Sequence, residues 1–285
     1  MHDTHAHLDL YLERLELLKP EENTLSPAAK DRLRQDLKNH SWLIQPTVSL
    51  VNFKRVRTLF GDLDWPVGYL LGAHPELVTS EFSLEGYVST LESFLATLSS
   101  GELRAQVLGL GEIGLDYYYS QDGAVISGQK KLFNYHLRLA EDLNLPVVIH
   151  CREAFGDVFG ALDEFPALQG RFLIHCFTGG LEELAEVERR GGYVAYGGVS
   201  TFKNAKELQE TLPEVDSTRY VLETDLPFLS PHPKRGQTCR PEYVDLVAGH
   251  LAKAREVAPE VVWQQSEANV EALFGKKLPK TSSFG

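Results

Sequence analysis

A chain of 285 residues can bury a sizeable core, either as one large domain or as two small ones. Its 43% hydrophobic and 24% charged residues exclude a mainly disordered chain, and no apolar run approaches the roughly 20 residues that a membrane-crossing helix needs. A formal net charge of -12 argues against tight, sequence-independent binding of duplex nucleic acid by the whole surface, while leaving room for a locally positive cleft.

The opening Met1-His2-Asp3-Thr4-His5 is polar and lacks the cationic and apolar blocks of a secretory signal. The first β-rich run is 3–7. A long connection over 10–38, containing Pro20 and Pro27, follows, and its segment 27–39 reads as helix. Further strand candidates are 43–49 and 67–73, after which Leu84, Tyr87, Val88, Leu91, Phe94, Leu95 and Leu98 recur at helical spacing. The fourth strand candidate, 107–112, precedes a helix carrying Leu132, Tyr135, Leu139 and Leu143, with Ser127 as its N-cap. Strand candidates 146–150 and 172–176 come next, then the short helical set Leu181, Leu184 and Val187, strands 193–196 and 220–224, and a helix over 241–257. These strands are apolar without strict alternation, as in a parallel sheet covered on both faces.

Eight strand candidates interleaved with helices suggest a (β/α)8 TIM barrel, with a doubly wound open sheet as the alternative. Residues 1–275 read as a single domain and 276–285 as a tail expected to fray. Cys151, Cys176 and Cys239 are widely spaced and form no CxxC pair, which disfavours a disulfide framework and favours a reducing, cytoplasmic setting.

The polar residues gather at strand ends. His5 and His7 lie on the first run, Glu112 ends the fourth, His150 the fifth and His175 the sixth, and the eighth runs into Glu223-Thr224-Asp225. In a β/α barrel the C-terminal strand ends form one rim, where active sites are found. An isolated HxH is a weak signal, although alternate strand residues would point both rings to one face. Four histidines and two carboxylates at strand ends supply enough donors for two divalent ions, whereas satisfied core histidines would need several independent coincidences. The Glu112 carboxylate can bridge two cations, and Asp225 suits a ligand that also accepts a proton from attacking water as general base. Imidazole-rich ligation favours Zn, Mn, Co or Ni, with Mg compatible at a weaker, carboxylate-rich position.

Six segments carry a family resemblance: Asp3-Thr4-His5-Ala6-His7-Leu8-Asp9, Gly72-Ala73-His74-Pro75, Gly111-Glu112-Ile113-Gly114-Leu115-Asp116-Tyr117-Tyr118, Pro146-Val147-Val148-Ile149-His150-Cys151-Arg152, His175-Cys176-Phe177-Thr178-Gly179 and Leu222-Glu223-Thr224-Asp225-Leu226-Pro227-Phe228-Leu229. In this order they resemble the TatD family, metal-dependent deoxyribonucleases on an amidohydrolase-type barrel. The resemblance implies that His5, His7, Glu112, His150, His175 and Asp225 are the ligands, with Glu112 shared between two ions. It also implies phosphodiester hydrolysis, often of single-stranded ends in the 3′ to 5′ direction. Two departures from the family pattern stand out: a longer connection after Asp9, expected to remodel the rim beside strand one, and Thr238-Cys239-Arg240-Pro241 where the family usually reads like Arg-Asn-Glu-Pro, expected to alter loop ordering and substrate contacts there but not the metal site.

Other residues carry paired readings. His74 follows the third strand as a substrate contact or a turn residue. Arg152 is a phosphate donor or half of a structural ion pair. Lys203, Lys234, Arg235 and Arg240 follow the last two strands and are either a local positive track for a strand, through Lys203 and Arg235 above all, or solvated surface charges. Glu223 faces the site or anchors a neighbouring ligand. Asp116, Tyr117 and Tyr118 read as loop scaffolding, with base stacking a minor option. Cys151 and Cys176 are expected to turn toward the outer helices as packing residues.

The leading functional reading is a two-metal hydrolase cleaving DNA, or RNA, from an end. A small-molecule amidohydrolase or esterase, and an aminoacyl-tRNA ester hydrolase, use the same centre. Many amidohydrolase barrels bridge their metals with a carbamylated lysine near strand four, where this chain has Glu112, and that favours the nuclease. A catalytically silent binding barrel is disfavoured by the complete ligand set. No membrane association is expected, and the oligomeric state is open, a monomer being compatible with the sequence.

Overall fold

In the computed structural model, which describes residues 1–63, 67–99, 101 and 107–275, all eight expected strands are present. They are β1 (His2–Asp3), β2 (Trp42–Gln45), β3 (Val67–Leu71), β4 (Gly109–Asp116), β5 (Val147–Arg152), β6 (Phe172–Ile174), β7 (Tyr193–Tyr196) and β8 (Tyr220–Leu222). Each pairs in parallel with the next, in unbroken order from β1 to β8. A doubly wound sheet would reverse its strand order at a switch point, so this order rules that alternative out.

Backbone hydrogen bonds beyond β1 draw the two ends of the sheet together. Thr4 N–H donates to the Leu222 carbonyl at 3.1 Å, Asp225 N–H to that of His5 at 2.9 Å, and His7 N–H to that of Leu226 at 3.0 Å. The fold is a TIM barrel of the amidohydrolase-like kind. The expected strand over 3–7 is therefore corrected: β1 stops at Asp3, and His5 and His7 sit on the segment that seams the barrel.

Between the strands run α1 (Leu8–Arg14), α2 (Pro27–Leu37), α3 (Leu50–Phe60), α4 (Leu84–Leu95), α5 (Gly123–Leu143), α6 (Phe155–Asp163), α7 (Leu181–Arg189) and α8 (Lys206–Glu214), and after β8 come α9 (Val244–Ala254) and α10 (Pro259–Phe274). Side-chain caps explain several starts. Ser26 accepts from Ala29 N–H ahead of Pro27, Ser49 from Asn52 N–H and Ser83 from Gly86 N–H. The cap expected at Ser127 is corrected: Asp122 accepts from Ala124 and Val125 N–H, so α5 begins earlier and Ser127 lies inside it. The long first connection forms α1 and α2, tied together where Tyr11 Oη donates to Asp36 at 2.5 Å and held to α3 by Arg55 on Glu13 at 2.7 Å. The tail expected at 276–285 lies outside the described residues.

The barrel interior is layered. Trp42, Ile44, Leu70, Val148, Leu173, Ala195 and Val221 form one buried cluster with Val270, Leu273 and Phe274 of α10. The last helix thus packs its final turn into the N-terminal end of the barrel. A larger cluster, including Ile113, Leu115, Ile149 and Ile174, fills the space between the sheet and the helices.

Candidate metal centre

Strand alternation lifts polar side chains above the apolar layer. His150 lies two residues beyond Val148 on β5, His175 two beyond Leu173 at the end of β6, and Glu223 two beyond Val221 at the end of β8. Glu112 arrives from β4, whose register against β5 shifts between Leu110 and Ile113. Gly72 lets β3 approach this peptide, since a Cβ there would stand 2.4 Å from the Gly111 carbonyl carbon and 2.7 Å from Glu112 N. Gly114 has φ +144, and a Cβ would fall 1.9 Å from the His150 carbonyl oxygen. The two glycines allow the backbone packing that aims Glu112 and His150 inward.

Glu112 divides the cluster oxygen by oxygen. Its Oε2 faces the seam, 3.3 Å from His5 Nε2 and 3.8 Å from His7 Nε2. Its Oε1 faces the other side, 2.8 Å from His175 Nε2, 2.9 Å from His150 Nδ1 and 3.5 Å from His74 Nε2. Asp225 Oδ1 stands 3.6 Å from His7 Nε2 and 3.8 Å from His5 Nε2. The rings of His5 and His175 stack with centroids 3.9 Å apart. Three overlapping trios have ligand atoms close enough for one ion each: His5, His7 and Glu112; His5, His175 and Asp225; and His74, Glu112 and His150. All six residues expected as ligands converge here.

The donor chemistry fits divalent cations. His5 is wholly buried, and neither of its ring nitrogens makes a hydrogen bond, an arrangement that a bound cation would relieve at Nε2. Burial works to raise the Glu112 pKa, but His175, His74, His5 and the His150 hydrogen bond together hold it well below the usual carboxylate range. Asp225 goes the other way: burial, with Glu112 and Glu223 nearby, lifts it well above that range against His175 and His150. A cation in the pocket would keep Asp225 ionised.

Other side chains fix the donors. Asp116, expected as loop scaffolding, is the last residue of β4, and its Oδ2 lies 2.9 Å from His150 Nε2. The proton on Nε2 then belongs to that contact and leaves Nδ1 free to ligate. Glu223 Oε1 accepts from Cys176 N–H at 2.6 Å and lies 3.6 Å from His175 Nδ1, in keeping with the anchoring role. Asp3 accepts from His5 N–H and Thr224 N–H, both at 3.1 Å, and joins the two sides of the seam; burial pushes its pKa up to about 7. Asp225 itself adopts φ 58, a left-handed conformation that Asp tolerates better than most residues.

The TatD related DNase family profile matches residues 2–275. The chain belongs to the TatD family. A metal-dependent hydrolase of uncharacterized activity from Buchnera aphidicola is 32% identical over 273 residues, covering 95% of this chain and 98% of that protein. The 3'-5' ssDNA/RNA exonuclease TatD of Citrobacter rodentium is 31% identical over 212 residues, 73% of this chain and 76% of its own. Among solved structures, the TatD homologue YjjV of Escherichia coli superposes with a TM-score of 0.80 at 25% identity, covering 97% of this chain and 98% of that one.

Around this TatD-type centre the remaining residues take definite places. The His74 ring is held by accepting the Glu76 N–H on Nδ1 at 3.2 Å, which puts its proton on Nε2, the atom that faces Glu112. The turn residue thus presents its Nε2 to the Glu112 side of the pocket. The guanidinium of Arg152 lies over the Tyr118 ring, 3.7 Å from its centroid, and so finds an aromatic partner where an ion pair was the structural expectation. Arg235 lies 4.2 Å above Phe202 and donates to Asn204, and Arg240 reaches Glu242 at 3.3 Å. Lys203 lines an open cavity of about 420 Å³ with His232 and His250, a cavity whose lining includes none of the six expected ligands. Cys151 packs outward as expected, but Cys176 does not follow the alternation. It lies past the end of β6 with φ 44, and after burial the fields of Asp225, Glu223 and Glu112 drive its thiol pKa up. No described helix is long and apolar enough to cross a membrane.

Proposed function

We propose that this TatD-family metal-dependent hydrolase is a two-metal nuclease that cleaves phosphodiester bonds in single-stranded DNA or RNA from an end. The observation that carries the reading is the division of Glu112, whose two oxygens face separate sets of imidazoles. In this assignment His5 and His7, with Asp225, serve one ion; His150 and His175 serve the other; and Glu112 is shared. Zn, Mn, Co and Ni suit the imidazole-rich donors, and Mg remains compatible. Bound, such a pair supplies an activated water and neutralises charge at the scissile phosphate.

Within the protein, Asp225 takes the proton of the attacking water. The Nε2–H of His74 donates to a phosphate oxygen, and Arg152 offers a second, charged donor at the mouth. Lys203 and Arg235 follow β7 and β8 on the same rim and carry the strand beyond the pocket. The Citrobacter relative's name as a 3'-5' ssDNA/RNA exonuclease supports the substrate class and polarity.

The test is digestion of end-labelled single- and double-stranded DNA and RNA by protein loaded with Mn, Mg or Zn, beside Asp225→Ala. Cleavage of single strands by the wild type, reduced by at least about 100-fold in the variant, is expected. No cleavage of any strand by either protein would sink the reading. Hydrolysis of lactones, cyclic amides or aminoacyl esters in its place would move the assignment to another ester or amide substrate.

A further inference from the structure

Tyr118 and Tyr119 are large aromatic side chains left 54% and 66% exposed directly beside the candidate metal centre. Their loop is not loose. Tyr117 N–H donates to the Arg152 carbonyl at 3.0 Å, and its hydroxyl donates to Asp157 at 2.8 Å, itself 2.8 Å from Lys130. Tyr118 N–H donates to Asp116 Oδ1 at 2.9 Å, with Tyr119 N–H on the same oxygen at 3.4 Å. The other oxygen of that carboxylate holds His150. One side chain therefore spaces the tyrosine pair from a candidate ligand. The rings stand at 86° with centroids 5.0 Å apart, and the Arg152 guanidinium lies 3.7 Å from one centroid and 4.9 Å from the other.

We infer that Tyr118, Tyr119 and Arg152 form a stacking subsite for the nucleobase next to the phosphate held at the Glu112 cluster. This rests on the nuclease reading above. A net charge of -12 repels a polyanion at long range, so affinity for a nucleic-acid strand has to come from local contacts. An aromatic face supplies such a contact for any base, because every base has a π-face, and the guanidinium adds a cation at the same place. Such a platform accepts only an unpaired base, since duplex stacking hides the faces it needs. The rings are mounted on a hydrogen-bonded loop with few torsions to freeze, so the order needed for stacking is already present.

The experiment uses a single-stranded decanucleotide with one abasic residue moved stepwise from the end that is attacked. It compares wild type, Tyr119→Ala and Tyr119→Phe, all loaded with Mn. Wild type is expected to show a KM rise of about 5- to 30-fold with the gap at one position, without a matching fall in kcat. Tyr119→Ala is expected to bring that ratio toward one, and Tyr119→Phe to preserve it. In EDTA, 2-aminopurine at the same position should lose fluorescence on binding wild type and less so with Tyr119→Ala. A ratio that Tyr119→Ala leaves intact, or a wild type indifferent to the position of the gap, overturns the subsite while the nuclease reading stands. Failure to cleave the unmodified strand overturns the nuclease reading itself.

Discussion

Asp116 and His150 face each other from neighbouring strands β4 and β5, with Oδ2 of the first 2.9 Å from Nε2 of the second. The carboxylate orients the imidazole and keeps its proton away from the nitrogen that meets Glu112.

Removing the charge while keeping the shape isolates that role. Asp116→Asn is expected to weaken metal binding by about 10- to 100-fold with little loss of fold stability. Titration against a competing chelator measures this. Unchanged affinity would mean that the contact is incidental.

Glu112→Gln keeps the volume of the side chain but gives up one anionic oxygen. The expected outcome is the loss of at least one ion per chain, read by elemental analysis after dialysis against low free metal. If the variant and the wild type retain equal metal, Glu112 is not shared between two ions.

Much of this arrangement was legible before the structure, and the parts that were not have physical causes. Seven strands fall on their apolar runs because side chains buried on both faces leave a continuous signal. The seam escapes a sequence reading because the Asp3-Thr4-His5-Ala6-His7 segment is held mostly by hydrogen bonds to residues more than two hundred positions along the same chain, which no local pattern records. Asp116 was missed because β4 runs four residues past Glu112, so a strand residue looked like the start of a loop. The α10 stripe was hidden by its buried polar members. Ser266 Oγ accepts from Leu222 N–H at 3.1 Å, and Asn269 donates to the Ser217 and Tyr220 carbonyls at 3.0 and 2.7 Å.

Acid should destabilise the fold through buried neutral histidines remote from the Glu112 cluster. Burial pushes the His136 pKa down to about 4, with its ring held between the Leu132 carbonyl and the Tyr87 hydroxyl. The unfolded chain binds that proton at an ordinary value near 6.5 and the native one does not, so this stability is fully present above about 6.5 and is lost as the pH falls toward 4. Urea unfolding across that window should give a slope in His136→Gln smaller by up to about 1.4 kcal/mol per pH unit. An unchanged slope would show that His136 titrates normally in the native state.

Phe274 is 6% exposed within the cluster at the N-terminal end of the barrel. Phe274→Ala is expected to lower stability by about 3–5 kcal/mol, measured by urea unfolding, with metal content unchanged. A loss below about 1 kcal/mol would mean that the end of α10 is not needed to fill that space.

The packing of Val270, Leu273 and Phe274 against Trp42, Leu70 and Val221 makes the barrel a dead end. A polymer cannot be threaded through it; substrate and product must use the same doorway. On the nuclease reading, each cleaved nucleotide would have to clear the entrance before the shortened strand could advance, so free nucleotide should compete with incoming strand. The length distribution of products at limiting enzyme, with and without added nucleotide monophosphate, reads that traffic directly.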